Sequence, residues 1–142
     1  MTAEPERVGL HYLAVAYQVR KALDGHMAAS GLSLARTKML DILAAQGPLR
    51  QAALAEELGL AQRSVTQAVE SLARDGLIER APDPDDGRAK LVAITPSGAE
   101  ALAASSAAGA HMLQQVFGSL TAQQLAALDT LLEVVDGALD QT

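Results

Sequence analysis

The chain of 142 residues contains no cysteine, no tryptophan, two tyrosines and one phenylalanine. Without cysteine there can be no disulfide staple, no thiolate zinc site and no thiol redox sensor. No uninterrupted apolar run reaches membrane-spanning length, so no membrane partner is expected. The N-terminal run Met1-Thr2-Ala3-Glu4-Pro5-Glu6 is acidic and lacks the basic-then-apolar order of a secretory signal, which points to a cytoplasmic protein. Basic residues are missing from the rear: all 11 Lys and Arg lie within residues 1–90, with 12 of the 17 acids, for a net charge of −1 there. Residues 91–142 carry five acids and no base. Such an asymmetry separates a surface able to meet phosphates from one that avoids them, although the front is not net basic.

What is present is apolar and periodic. With 49% hydrophobic residues, the chain suits one domain with a real core. A first helix is expected from about Pro5 to Ala28, its buried stripe formed by Val8, Tyr12, Val15, Ala16, Val19 and Leu23. Leu10, Leu13 and Tyr17 make its other faces apolar, so it needs more than one partner surface, and a second copy would supply one. Ser33 is placed to cap a helix over Leu34–Gln46, stopped by Gly47-Pro48. A short helix follows over about Gln51–Leu58, ended by Gly59, and a fourth runs from about Gln62 to Asp75-Gly76. In that fourth helix Val65, Val69 and Leu72 share a face. Gln62, Arg63, Ser64, Thr66, Gln67, Glu70 and Arg74 are polar on the other.

Two strands only are expected, Leu77–Arg80 and Lys90–Ile94, joined through the turn formers Pro82–Gly87 into a hairpin with a long tip. Thr95-Pro96 restarts helix, with Thr as cap and Pro at the first position, and an alanine-dense helix runs to about Phe117. Thr121-Ala122-Gln123-Gln124 has capping-box spacing and opens a sixth helix. There Leu125, Leu128, Leu132, Val135 and Leu139 step by three and four, a heptad seam suited to a dimer interface. The class is mainly α with a small β-hairpin wing (α+β): a winged helix-turn-helix over residues 33–95, and a helical dimerisation region over 5–28 and 96–140.

A helix has the width of the major groove, and Gln and Arg side chains can grip base edges in pairs of hydrogen bonds. Ser and Thr suit phosphates, and Arg88 at the hairpin tip can reach a narrow minor groove. The alternatives for Arg88 and Arg63 are an ordinary hairpin charge and a solvated helix face. Glu70 reads as solvated, or paired with its i+4 neighbour Arg74.

The stretch Asp83-Pro84-Asp85-Asp86-Gly87-Arg88, followed by the apolar strand and Thr95-Pro96-Ser97-Gly98, resembles the wing signature of the multiple-antibiotic-resistance-regulator (MarR) family of bacterial transcription factors. Leu54–Leu60 and Leu72–Ile78 resemble its two helix-turn-helix segments. The resemblance implies a double-stranded DNA operator, a pseudo-palindrome bound by a homodimer, and a repressor released by a small-molecule effector. Gln62, Arg63, Ser64, Thr66 and Gln67 would face the major groove, with Arg74 on the same DNA-binding surface. Arg88 would enter the minor groove, steadied by Asp86 pairing within the wing. Tyr12, Tyr17, Met39, Met112 and Phe117 are candidates to line an effector pocket, with plain core as the alternative. Arg50 and Ala61 stand where family members often place a capping Ser or Thr, and Gly87 where a second basic residue is common.

No cofactor and no metal are expected: His11, His26 and His111 share no helical ligand spacing and have no cysteine beside them. Asp83, Asp85 and Asp86 lack the spacing and closing acid of a calcium loop. There is no phosphate-binding glycine loop, nucleophile elbow or HExxH, so the chain is not read as an enzyme. The competing reading is a winged-helix protein-interaction module that binds no DNA, favoured by the low basicity of the front.

Overall fold

The computed structural model describes residues 2–142. Pro5 opens helix α1 (Pro5–Ala29), its fixed φ and missing N–H costing nothing at a helix start. The stripe expected to be buried along α1 is only half so. Ala16, Val19 and Leu23 are partly covered and Met27 is buried, but Val8, Tyr12 and Val15 stay exposed in the single chain, as do Leu10, Leu13 and Tyr17. Helix α2 (Leu34–Gln46) begins with two of its free N–H groups satisfied: Ser33 Oγ accepts from Arg36 and Asp24 Oδ1 accepts from Leu34.

The sheet has three strands rather than two. β1 (Leu49–Arg50) pairs antiparallel with β3 (Lys90–Ile94), which pairs on its other side with β2 (Ile78–Pro82), for the order β1-β3-β2. Two residues offer no alternation to read, so β1 exists only through its register, Leu49 opposite Val92 and Arg50 opposite Leu91. β2 runs two residues further into the turn than expected, because Ala81 and Pro82 still find partners in Leu91 and Lys90. Pro82, which cannot donate, sits at the end of this edge strand.

Helices α3 (Gln51–Leu58) and α4 (Gln62–Arg74) meet at Gly59, whose left-handed backbone (φ 65°, ψ 31°) closes α3 at no steric cost. Neither helix has a side-chain cap at its start. Burial holds them instead. Leu54 of α3 and Val65, Val69 and Leu72 of α4 have no exposed surface, and they join Leu40, Leu43, Ile78 and Val92 in one core. Each such Leu or Val contributes about 1.5–3 kcal/mol relative to exposure, which outweighs a missing cap of about 1 kcal/mol.

Helix α5 (Pro96–Phe117) is seated by its first residues. Thr95 Oγ1 donates to the Gly76 carbonyl (2.6 Å) and accepts from Gly98 N–H (3.0 Å), while Thr95 N–H donates to Leu77 O (3.1 Å). Further along, the buried Ser105 hydroxyl lies 2.8 Å from Thr37 Oγ1. Each of the two hydroxyls also has a carbonyl within reach, Ser33 O for Thr37 (2.8 Å) and Leu32 O for Ser105 (3.3 Å). Helix α6 (Ala122–Leu139) starts with the expected capping box, Thr121 and Gln124 each bonding the other's backbone N–H. Leu128 of its apolar seam is half-buried, while Leu125, Leu132, Val135 and Leu139 are exposed. The chain forms two compact units, divided within α5 after Gly109. Among the described residues no helix is long and apolar enough to cross a membrane.

A Cβ at position 98 would overlap the Leu77 carbonyl oxygen and stand 2.8 Å from Ile94 Cγ1. Gly98→Ala should therefore lower stability by about 1–3 kcal/mol, as overpacking against backbone does. The exposed neighbour change Ser97→Ala should stay within about 0.5 kcal/mol. Urea unfolding at one fixed protein concentration checks both. Equal midpoints for the two variants would show that α5 does not depend on this contact.

Candidate nucleic-acid interface

Because Val65, Val69 and Leu72 are buried, α4 turns its polar side outward. Gln62, Arg63, Ser64 and Gln67 are exposed over its first turns, and Arg74 is exposed in its last. Arg63, Gln67, Glu70 and Arg74 follow one another by four, three and four residues, a single stripe along the helix. Glu70 is exposed and makes no ion pair with Arg74 among the described residues. Thr66 differs from its neighbours. Its hydroxyl accepts from Gln51 Nε2 (2.6 Å) and donates to Gln62 O (2.8 Å), so it ties α3 to α4 rather than projecting freely.

The wing tip is built around Asp83, whose side chain is only 9% exposed. Its Oδ2 accepts from Arg50 Nε (2.9 Å) and forms an ion pair with Nη2 of the same guanidinium (2.8 Å), and its Oδ1 accepts from Asp85 N–H (2.9 Å). The Asp85 amide and then the Arg50 guanidinium hold this carboxyl below the usual aspartate range. The hydrogen bond to Asp83, with its charge, raises Arg50 in turn. Across the tip, Asp83 N–H donates to Ala89 O and Ala89 N–H to Asp86 O, both at 3.0 Å. Asp86 Oδ1 accepts the backbone N–H of Arg88 at 3.1 Å. Asp86 thus pairs with Arg88 within the wing through the main-chain N–H of Arg88. Its other oxygen lies 4.0 Å from Arg50. The Arg88 guanidinium is exposed and has no ion pair among the described residues.

Arg50 and Asp83 were not legible as a pair. They are 33 residues apart, and Arg50 reads as a poor helix cap until β1 brings its side chain alongside the tip. The one local signal was Asp83 itself, an aspartate two residues before an amide it could accept, as turn-forming Asp often does.

Tyr17 and Phe117 each line a cavity of their own unit, and the other three candidate pocket residues line neither of these two cavities. Met39 is buried in the core of the first unit and Tyr12 is exposed on α1. Tyr17 lines a cavity of about 510 Å³ with Arg20, Lys21 and Asp24 of α1, Leu34, Ala35 and Lys38 of α2, and Leu58 and Leu60. Asp24, which accepts from Leu34 N–H, is the one carboxylate of this lining, against the three cations Arg20, Lys21 and Lys38. In the second unit Met112 is buried, and Phe117 lines an apolar hollow of about 420 Å³ with Leu113, Gln114, Gly118 and Leu125. His11, His26 and His111 are exposed, and His26 Nδ1 lies 2.9 Å from Ala22 O. Among the described residues no group of three or more His, Asp or Glu is arranged to hold a metal ion.

Residues 32–90, the helix-turn-helix and most of the wing, match the model of the MarR family. The chain is 34% identical over 111 residues to the HTH-type transcriptional regulator MT0903.1 of Mycobacterium tuberculosis, covering 75% of this chain and 78% of that one. To the HTH-type transcriptional repressor NicR of Pseudomonas putida it is 32% identical over 133 residues, covering 92% and 84%. Among solved structures it is similar to a mutant MarR from E. coli complexed with operator DNA, with a TM-score of 0.73, 25% identity and coverage of 91% and 93%. Sequence and fold agree that the chain belongs to the MarR family, whose named relatives here are transcriptional regulators and not enzymes.

Proposed function

We propose that this chain binds a pseudo-palindromic double-stranded DNA operator as a homodimer and represses transcription until a small-molecule effector releases it. The observation that carries the reading is one pairing: a polar stripe on α4 held rigid by three fully buried residues, beside a wing whose Arg88 guanidinium is unengaged. Arg63 and Gln67, one turn apart, suit base edges in one major groove, and Arg88 suits the width and potential of a minor groove. The operator complex named for the MarR neighbour and the repressor named for the NicR relative support the same reading.

The near-neutral front favours a second reading, a winged-helix protein-interaction module. The two part on salt: DNA binding releases counterions and weakens steeply as salt rises, whereas an interaction module shows no shift with mixed genomic DNA at any salt. On a randomised operator library, Arg63→Ala should cost about 1–3 kcal/mol and relax preference at one symmetric pair of positions. Arg88→Ala should weaken binding across many sequences and make the salt slope shallower by about one unit. An unchanged slope and affinity for Arg88→Ala would remove the wing from the interface.

The dimer reading rests on apolar side chains in water. Leu10, Leu13 and Tyr17 on α1 and Leu131, Val134 and Leu139 on α6 are each more than 60% exposed, more apolar surface than single soluble chains usually leave uncovered. Light scattering at micromolar concentration should give twice the chain mass, and Leu132→Asp should give unfolded or aggregated protein. A folded monomer of the unmodified protein would refute it.

For the effector, the cavity beside Tyr17 offers an aromatic ring, aliphatic walls and three cations, Arg20, Lys21 and Lys38, a setting for small anionic aromatic compounds. Such a ligand should weaken operator binding by about 5–150-fold, the usual range of coupling between sites. Lys38→Ala should abolish the response while leaving ligand-free operator affinity within twofold or so. Salicylate and benzoate analogues tested by thermal shift and operator titration decide it: compounds that bind without changing operator affinity would end the switch reading.

A further inference from the structure

Two adjacent residues face the two DNA-reading elements from one place. Arg50 closes β1 and bonds the wing tip through Asp83; Gln51 opens α3 and bonds α4 through Thr66. Accepting that Arg88 contacts DNA, we propose that Arg50 and Asp83 are positioning residues that set where Arg88 stands relative to the base-reading stripe of α4, without touching DNA themselves.

The connection can be followed bond by bond. Arg50 holds Asp83 Oδ2 by one hydrogen bond from Nε and by the ion pair with Nη2. Asp83 folds the tip through Asp85 N–H and Ala89 O, Ala89 returns to Asp86 O, and Asp86 Oδ1 receives Arg88 N–H. Beyond the Arg50–Asp83 pair each bond engages backbone, and the exposed Arg88 side chain takes part in none of them. On the other side, the backbone of Arg50 is registered opposite Leu91 of β3, so the anchor itself cannot drift from the sheet. The charge of Arg50 is committed as well: Asp83 at 2.8 Å and Asp86 at 4.0 Å take it, and it offers little to a phosphate.

A rival account needs no positioning. Asp83, Asp85 and Asp86 crowd this tip, so Arg50 could aid binding merely by cancelling negative charge. The two accounts differ in sign for Asp83→Asn, which removes an acid but also the grip. Charge alone makes that variant bind DNA more tightly; the clamp makes it bind more weakly.

The test uses the full-length protein and a duplex selected from a randomised library by the wild type. Arg50→Gln and Asp83→Asn should each lower affinity by roughly five- to tenfold, with base preference at the Arg63 positions retained as the sign of a folded reading head. Neither should cost anything further in an Arg88→Ala background, and Arg50→Lys should recover most of the loss. The clamp is overturned if Asp83→Asn binds as well as or better than wild type, or if either effect persists in full without Arg88. If instead the wild type selects no duplex, the DNA-binding reading falls and this proposal falls with it, an outcome distinct from a binding wild type with indifferent variants.

Discussion

Val65, Val69 and Leu72 recur at helical spacing and have no contact with solvent, and their burial turns the remaining residues of α4 outward. No local device does this instead: Ala61 supplies no cap, and neither does Arg50 at the start of α3. The polar stripe of α4 therefore exists only as part of the core that helix shares with Leu40, Leu43 and Leu54. Whatever loosens that core disperses the stripe of Arg63, Gln67 and Arg74, because an eight-residue α3 and a thirteen-residue α4 are too short to persist alone in water.

Net charge is a poor guide to this chain because charge acts locally. The rear residues are acidic throughout, and the wing tip holds three aspartates. Yet Asp83 is covered and matched by Arg50, and one oxygen of Asp86 is occupied by a backbone amide. At about 8–10 Å of screening length in ordinary salt, the potential at the wing is set chiefly by Arg88 and its immediate neighbours.

Much of the fold was legible because it is written in local chemistry. Ser33, the Thr121–Gln124 box, Gly59 and Thr95-Pro96 mark boundaries that the structure keeps to within a residue or so. Residues that act across the chain were less so. Thr66 looks like any polar residue of a reading face, and only Gln51 shows that its hydroxyl is engaged. Met39 could equally have lined a pocket or filled a core, since burial on a helix does not say which. For α1 the periodicity marks an apolar stripe of which Ala16, Val19 and Leu23 are partly covered in the single chain, while Val8, Tyr12 and Val15 are not.

Position 50 shows how one side chain can be asked for two things. A Ser or Thr there would accept from a free N–H at the start of α3 and stabilise that helix by about 1 kcal/mol. It could not reach the carboxylate of Asp83, which would then lose its counter-charge and keep only backbone amides of the tip as partners. A covered carboxylate without a counter-charge costs more than an exposed helix end without a cap, since water can still solvate the latter. Arg at position 50 and Asp at position 83 are thus coupled choices: given the aspartate, the uncapped helix is the smaller loss, and α3 can bear it because Leu54 and Ala55 anchor its first turns in the core.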